Sequence, residues 1–137
     1  MAFLFHKIIF LIKLKMNKNI FGEPLKICGQ NPLTGYDRTG FCTLSEQDRG
    51  THIVCAIVDD KFLNFTFSKG NDLISPSNNF QGLKAGDRWC LCVLRWLEAY
   101  NNDVAPLLDL DATSQNVLKF ANINLFKQYD YKKRIGV

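Results

Sequence analysis

The sequence predicts an α+β fold: a two-layer sandwich with a small mixed or antiparallel sheet, helices on one side and long loops. Three observations predict it. Residues 52–58 (HIVCAIV) and the run that opens at Arg88 are continuous, apolar and strand-length, the pattern of buried strands. Helix-like segments with capping residues stand between and after these runs. Two stretches dense in Gly, Pro, Asn and Asp, residues 30–50 and 71–79, are too long to be simple turns.

The elements follow in chain order. Residues 20–29 are short and interrupted by Pro24, which suits an edge strand or an extended lead-in. Residues 30–50 are loop, with Cys42 in their middle. The β-branched run from His52 is a strand. Asp59 and Asp60 then supply an N-cap and a first-turn acid. Residues 61–69 carry Phe62, Leu63, Phe65 and Phe67 as a helix, with Gly70 just past its end. Residues 88–95 form the second strand, apolar on both faces and so placed centrally beside the first. Residues 96–101 make a short helix that ends before Pro106, and residues 107–110 a short strand. Thr113 caps a helix to Ala121, and Asn122 another to about Tyr129. Residues 16–137 thus read as a single α+β domain.

Residues 1–15 stand apart. They are apolar but broken by His6, Lys7, Lys13 and Lys15, too short to span a bilayer, and they lack a signal peptide's order of features. Met16 offers a second start, so the expectation is a non-native leader, with a membrane-surface anchor as the alternative. Three of the four net positive charges lie in this segment. The nearly neutral body lacks the basic footprint of a nucleic-acid binder, and no membrane partner is expected unless the leader is genuine. Five cysteines, an odd number in a chain able to bury a core, predict reduced thiols and a cytoplasmic location.

Several strings together resemble one family: Gly22-Glu-Pro-Leu25, residues 32–36 (PLTGY), residues 51–56 (THIVCA), Gly70-Asn-Asp-Leu73, residues 82–92 (GLKAGDRWCLC), Arg95-Trp96 and Ala105-Pro106. The chain is similar to the uncharacterised bacterial family known as domain of unknown function 2237. The resemblance covers residues 19–127 and implies an α+β domain of bacterial origin, with no activity attached. Family members often carry a cysteine pair where this chain has Phe41-Cys42, and Thr-His where it has Thr113-Ser114. A family site using the missing cysteine or histidine would have fewer ligands here.

Three site chemistries compete. Zinc needs four N or S ligands, usually in close pairs; among Cys28, Cys42, His52, Cys55, Cys90 and Cys92 only the last two are close. No cofactor is therefore predicted, zinc at Cys42, Cys55, Cys90 and Cys92 being a lesser alternative to buried structural cysteines. A thiol enzyme would use Cys90 or Cys92 as nucleophile with His52 as base, Cys42 being a further candidate nucleophile. The preferred reading is a pocket for a small polar or anionic molecule. Asp87 and Arg88 would orient that molecule, Asp72, Arg95 and His52 would assist, and Trp89 or Trp96 would wall it. A partner-binding or structural protein is the third reading. Walker, dinucleotide-binding, nucleophile-elbow and zinc-protease motifs are all absent.

Overall fold

The structure, a computed structural model, describes residues 4–8 and 17–133. Residues 4–8 are helical and exposed; the rest of the expected leader lies outside the described residues. Among the described residues no helix is long and apolar enough to cross a membrane.

The fold is α+β, as the patterning predicts. Strand β1 (His52–Ile57) sits in the centre of a three-stranded antiparallel sheet. β2 (Arg88–Cys92) flanks it on one side and β3 (Leu107–Leu108) on the other. Helix α1 (Asp60–Ser68) follows β1 directly. Asp59 caps it by accepting a hydrogen bond from the Phe62 amide at 2.8 Å. Gly70 just beyond it takes φ +88°, the left-handed conformation that ends a helix cheaply with glycine. Helix α2 (Val93–Asn101) continues straight out of β2. 3₁₀ turns at Leu110–Ala112 and Gln115–Lys119 precede helix α3 (Ile123–Lys127), which Asn122 caps.

Several expectations change here. The third strand stops at Leu108, and the segment expected as a Thr113-capped helix is a 3₁₀ turn capped by Ser114. The second strand stops at Cys92 rather than Arg95, because Val93, Trp96 and Ala99 recur at helical spacing and bury one side of α2. The apolar run alone does not distinguish the two periods. β2 is also an edge strand, not a central one. Its apolar character is satisfied from the side by loops instead. Thr34 of the first long loop accepts the Cys90 amide hydrogen at 2.8 Å, taking the place of a neighbouring strand.

Alternation along the strands divides the sheet into two surfaces. Val54 and Ala56 pair with Leu91 and Trp89 and belong to the main core, with Phe62 and Leu63 of α1 and Val93 and Trp96 of α2. Cys55 pairs with Cys90 across the strands and belongs to a second, separate cluster with Cys28, Cys42 and Ala112.

The expectation of reduced cysteines is corrected in that second cluster. Cys28 bonds Cys55 (S–S 2.04 Å) and Cys42 bonds Cys90 (2.03 Å), leaving Cys92 as the free cysteine. Each bond ties a segment before β1 to a strand. The odd cysteine count hid this, because it pointed to a leftover thiol without saying that the other four converge.

Candidate functional site

A cleft of about 490 Å³ runs along the outer edge of β2. That size falls within the usual range for small-molecule sites. Trp89, Cys90, Leu91 and Cys92 form its floor. Tyr36 and Arg38 from the first long loop line it as well, as do Asp72 and Phe80 from the second. The two loops that looked too long to be turns are therefore walls of one recess.

His52 reaches this cleft through an irregularity in the sheet. Along a regular strand His52, three residues before Cys55, would point away from the cysteine side. The register shifts between His52 and Val54, so His52 lies opposite Cys92 while Val54 lies opposite Leu91. A bulge of this kind re-aims a side chain across the sheet. Residues directly opposite in an antiparallel pair have Cβ atoms roughly 5 Å apart.

The imidazole is held on three sides. Asp48, buried at 4% exposure, accepts a hydrogen bond from His52 Nδ1 at 2.7 Å and from the His52 amide at 2.8 Å. A carboxylate only accepts, so Nδ1 is the donor in this pair, and in the neutral form of the ring Nε2 is the acceptor. Tyr36 stacks on the ring, centroids 6.2 Å apart and planes within 6°. Gly50 closes the third side, since a Cβ there would collide with the imidazole. The arrangement is a carboxylate behind an imidazole, on the residue that is the cross-strand partner of the free cysteine Cys92.

Electrostatics elsewhere in the cleft are mixed. The Arg38 guanidinium lies over the Trp89 ring, 5.1 Å from its centroid, and donates to the Gly35 carbonyl at 2.6 Å. Asp72 accepts from the Ile74 and Ser75 amides, both at 2.9 Å. The Ser75 hydroxyl and amide, helped by Ile74, hold the Asp72 carboxyl below its ordinary range against a smaller opposing desolvation.

The structure thus brings Asp72, His52, Trp89, Cys90 and Cys92 to one cleft, and places the other expected residues elsewhere. Asp87 accepts the Lys84 amide hydrogen at 3.0 Å and ties the turn before β2. Arg88 donates to Asp109 Oδ2 at 2.6 Å and lies over the Tyr131 ring at 5.0 Å. Burial works against its charge, but the Asp109 and Tyr131 interactions together outweigh it and raise its pKa. Arg95, on α2, pairs with Glu98 at 3.2 Å and the Lys69 carbonyl at 3.2 Å. Trp96 is fully buried, donates Nε1–H to the Pro106 carbonyl at 3.1 Å, and packs on Tyr100, Phe126 and Tyr129. Cys55 and Cys42 lie in the disulfide cluster. Sequence reasoning passed over Asp48, Tyr36 and Arg38. An acid four residues before a lone histidine is a usable signal for the first; the other two became relevant only when the loops were seen to fold over β2.

Fold and site together define a small α+β domain that carries a thiol–imidazole cleft beside a pair of buried disulfides. The sequence profile of the family described as "Uncharacterized protein conserved in bacteria (DUF2237)" matches residues 18–130, and the chain belongs to that family. No curated protein sequence matches the chain.

Proposed function

We propose that the cleft binds a small polar or anionic molecule and that Cys92 reacts with it, His52 serving as base and Asp48 holding His52 in place. The observation that carries this reading is the cross-strand placement of His52 opposite Cys92 with the buried Asp48 carboxylate behind the ring. A thiol becomes a nucleophile when a positioned base takes its proton. Here the Cys92 proton passes to His52 Nε2, and the sulfur lone pair forms a bond to an electrophilic carbon of the ligand. The displaced group leaves with its electron pair and takes the proton back from Nε2. The cation that faces the ligand in this reading is Arg38. Arg88, expected in that role, is engaged by Asp109.

A second reading, binding without chemistry, is favoured by one observation of its own. Arg38 and Trp89 build a flat cationic wall that suits a planar carboxylate or a similar anion. Alkylation separates the two. Under the first reading, iodoacetamide labels Cys92 of the native protein at neutral pH, and His52→Asn slows labelling by roughly a hundredfold, the low end of what a positioned base supplies. Equal labelling rates in the two proteins would leave binding alone.

A further inference from the structure

The disulfide cluster contains more sulfur convergence than two separate crosslinks require. Cys28 and Cys55 belong to one bond and Cys42 to the other, yet the sulfurs of all three lie within 4.8 Å of one another. The fourth sulfur, of Cys90, is bonded to Cys42, and its residue is the register partner of Cys55. The four come from four separate segments and share one buried cluster, with the Cys90 sulfur outside the 4.8 Å group but bonded to a member of it. None of the four residues is more than 2% exposed, and Ala112 is the remaining member of their cluster.

We propose that the two disulfides are the oxidised form of a zinc site, and that in the reduced protein Cys28, Cys42, Cys55 and Cys90 hold one Zn²⁺ as a closed tetrathiolate. Four thiolates in a sealed, tetrahedral arrangement are the usual donor set of structural zinc, with metal–sulfur distances of about 2.3 Å. Sulfurs of such a site are a little under 4 Å apart, by tetrahedral geometry from that distance. To reach it the Cys28 and Cys55 sulfurs must part by about 1.7 Å from their bonded distance of 2.04 Å, and the Cys90 sulfur must join the group from outside it. The set differs from the one the sequence suggested: Cys28 takes the place of Cys92, which lies out in the cleft. Strand spacing explains the change. Cys90 and Cys92 share a side of β2 but stand almost 7 Å apart along it, about twice the rise per residue.

Interconversion balances with a dithiol as reductant. Two dithiols supply four electrons and four protons, both S–S bonds break to give four thiols, and each dithiol leaves as its own disulfide. Zn²⁺ then displaces the four thiol protons, leaving a centre of net charge −2. Cytosolic dithiol systems keep protein thiols reduced, so the metal form is the one suited to that compartment.

The test uses the full chain, reduced anaerobically with a phosphine, which does not compete for metal as a dithiol does. Co²⁺ is then titrated in as a spectroscopic stand-in for Zn²⁺. One Co²⁺ per chain, with strong sulfur-to-metal charge transfer and tetrahedral bands that Zn²⁺ abolishes, is the expected result. Cys28→Ser should lose the tetrathiolate spectrum, and Cys92→Ser should keep it. If the reduced apo-protein unfolds, Zn²⁺ should restore its far-ultraviolet circular dichroism, because metal binding and folding are then one equilibrium. A weak octahedral spectrum, an unaltered spectrum in Cys28→Ser, or an unfolded reduced chain that Zn²⁺ does not refold would each overturn the proposal. The alkylation of Cys92 is read separately, so neither proposal stands or falls with the other.

Discussion

The two ends of β2 carry similar raw material and put it to different use. At one end Arg88 and Asp87 are ionisable groups at the mouth of an apolar strand; at the other Cys92 lies opposite an imidazole. The Arg88 end is occupied from within. Asp109 bonds it, Tyr131 lies under it, and Asp87 is turned back on its own loop. The Cys92 end opens into a cleft, and its charged partner, Asp48, sits behind the histidine rather than between histidine and solvent. A charged group at a strand mouth is therefore ambiguous until its partners are known. When the fold supplies a counter-ion, the pair is a latch. When it supplies a support one residue removed, the tip stays available.

The comparison breaks most easily in the middle. The Cys42–Cys90 bond fixes the first loop to the centre of β2, between latch and cleft. Replacing both residues by Ala should cost about 2–5 kcal/mol, the usual range for a native disulfide in a small domain. Denaturant midpoints would show it. A loss below about 1 kcal/mol would mean that Thr34 and the loop's own packing hold β2 without the bond.

Arg88→Ala tests the latch itself. Truncation leaves the Asp109 carboxylate, 7% exposed, without its cation. We expect a loss of about 1–3 kcal/mol, less than a fully buried pair would give because the Arg88 side chain is 33% exposed. Cys92→Ser at the other end should change stability by less than about 0.5 kcal/mol while removing the reactive thiol. Stability changes of equal size at the two ends would erase the distinction.

How much of this was legible in the sequence follows from the range of the interactions involved. The helix from Asp60, its Asp59 cap and the strand from His52 are written in residues a few positions apart, and the sequence reading located each of them. The switch from strand to helix at Val93 was missed, because Trp89, Leu91, Val93, Leu94 and Trp96 fit either period over so short a span. The cysteine pairing was missed for another reason: separations of 27 and 48 residues carry no local pattern. The contrast in surroundings between Arg88 and Cys92 depended on Asp109, 21 residues from Arg88, and on a bulge of one residue. Neither leaves a mark in periodicity.

Gly50→Ala probes the cleft end without replacing a reactive group. The added methyl meets the His52 ring, which is the movable partner, so the ring should swing off Asp48. Alkylation of Cys92 should then slow toward the rate seen in His52→Asn, with a stability change under about 1 kcal/mol. An unchanged alkylation rate would show that the Asp48 contact does not control Cys92.

The smallest effect is at the rim, where Asp72 organises the second loop. Its carboxyl is held below its ordinary range mainly by the Ser75 hydroxyl and amide. A carboxyl whose folded pKa is depressed contributes stability that is complete above its unfolded pKa, near 3.9, and is lost as pH falls through the folded value. The loop should therefore be unaffected at neutral pH and loosen only below about pH 4. Faster amide exchange at Ile74 and Ser75 in that acid range, relative to the amides of β1, would report it. Asp72→Asn supplies the control that separates charge from shape. An amide oxygen still accepts from both backbone N–H groups, but it gains no proton over this range. The variant should keep the loop at neutral pH and lose the acid step. A variant that is already open at neutral pH would mean that the negative charge, and not the acceptor geometry, holds this wall of the cleft in place.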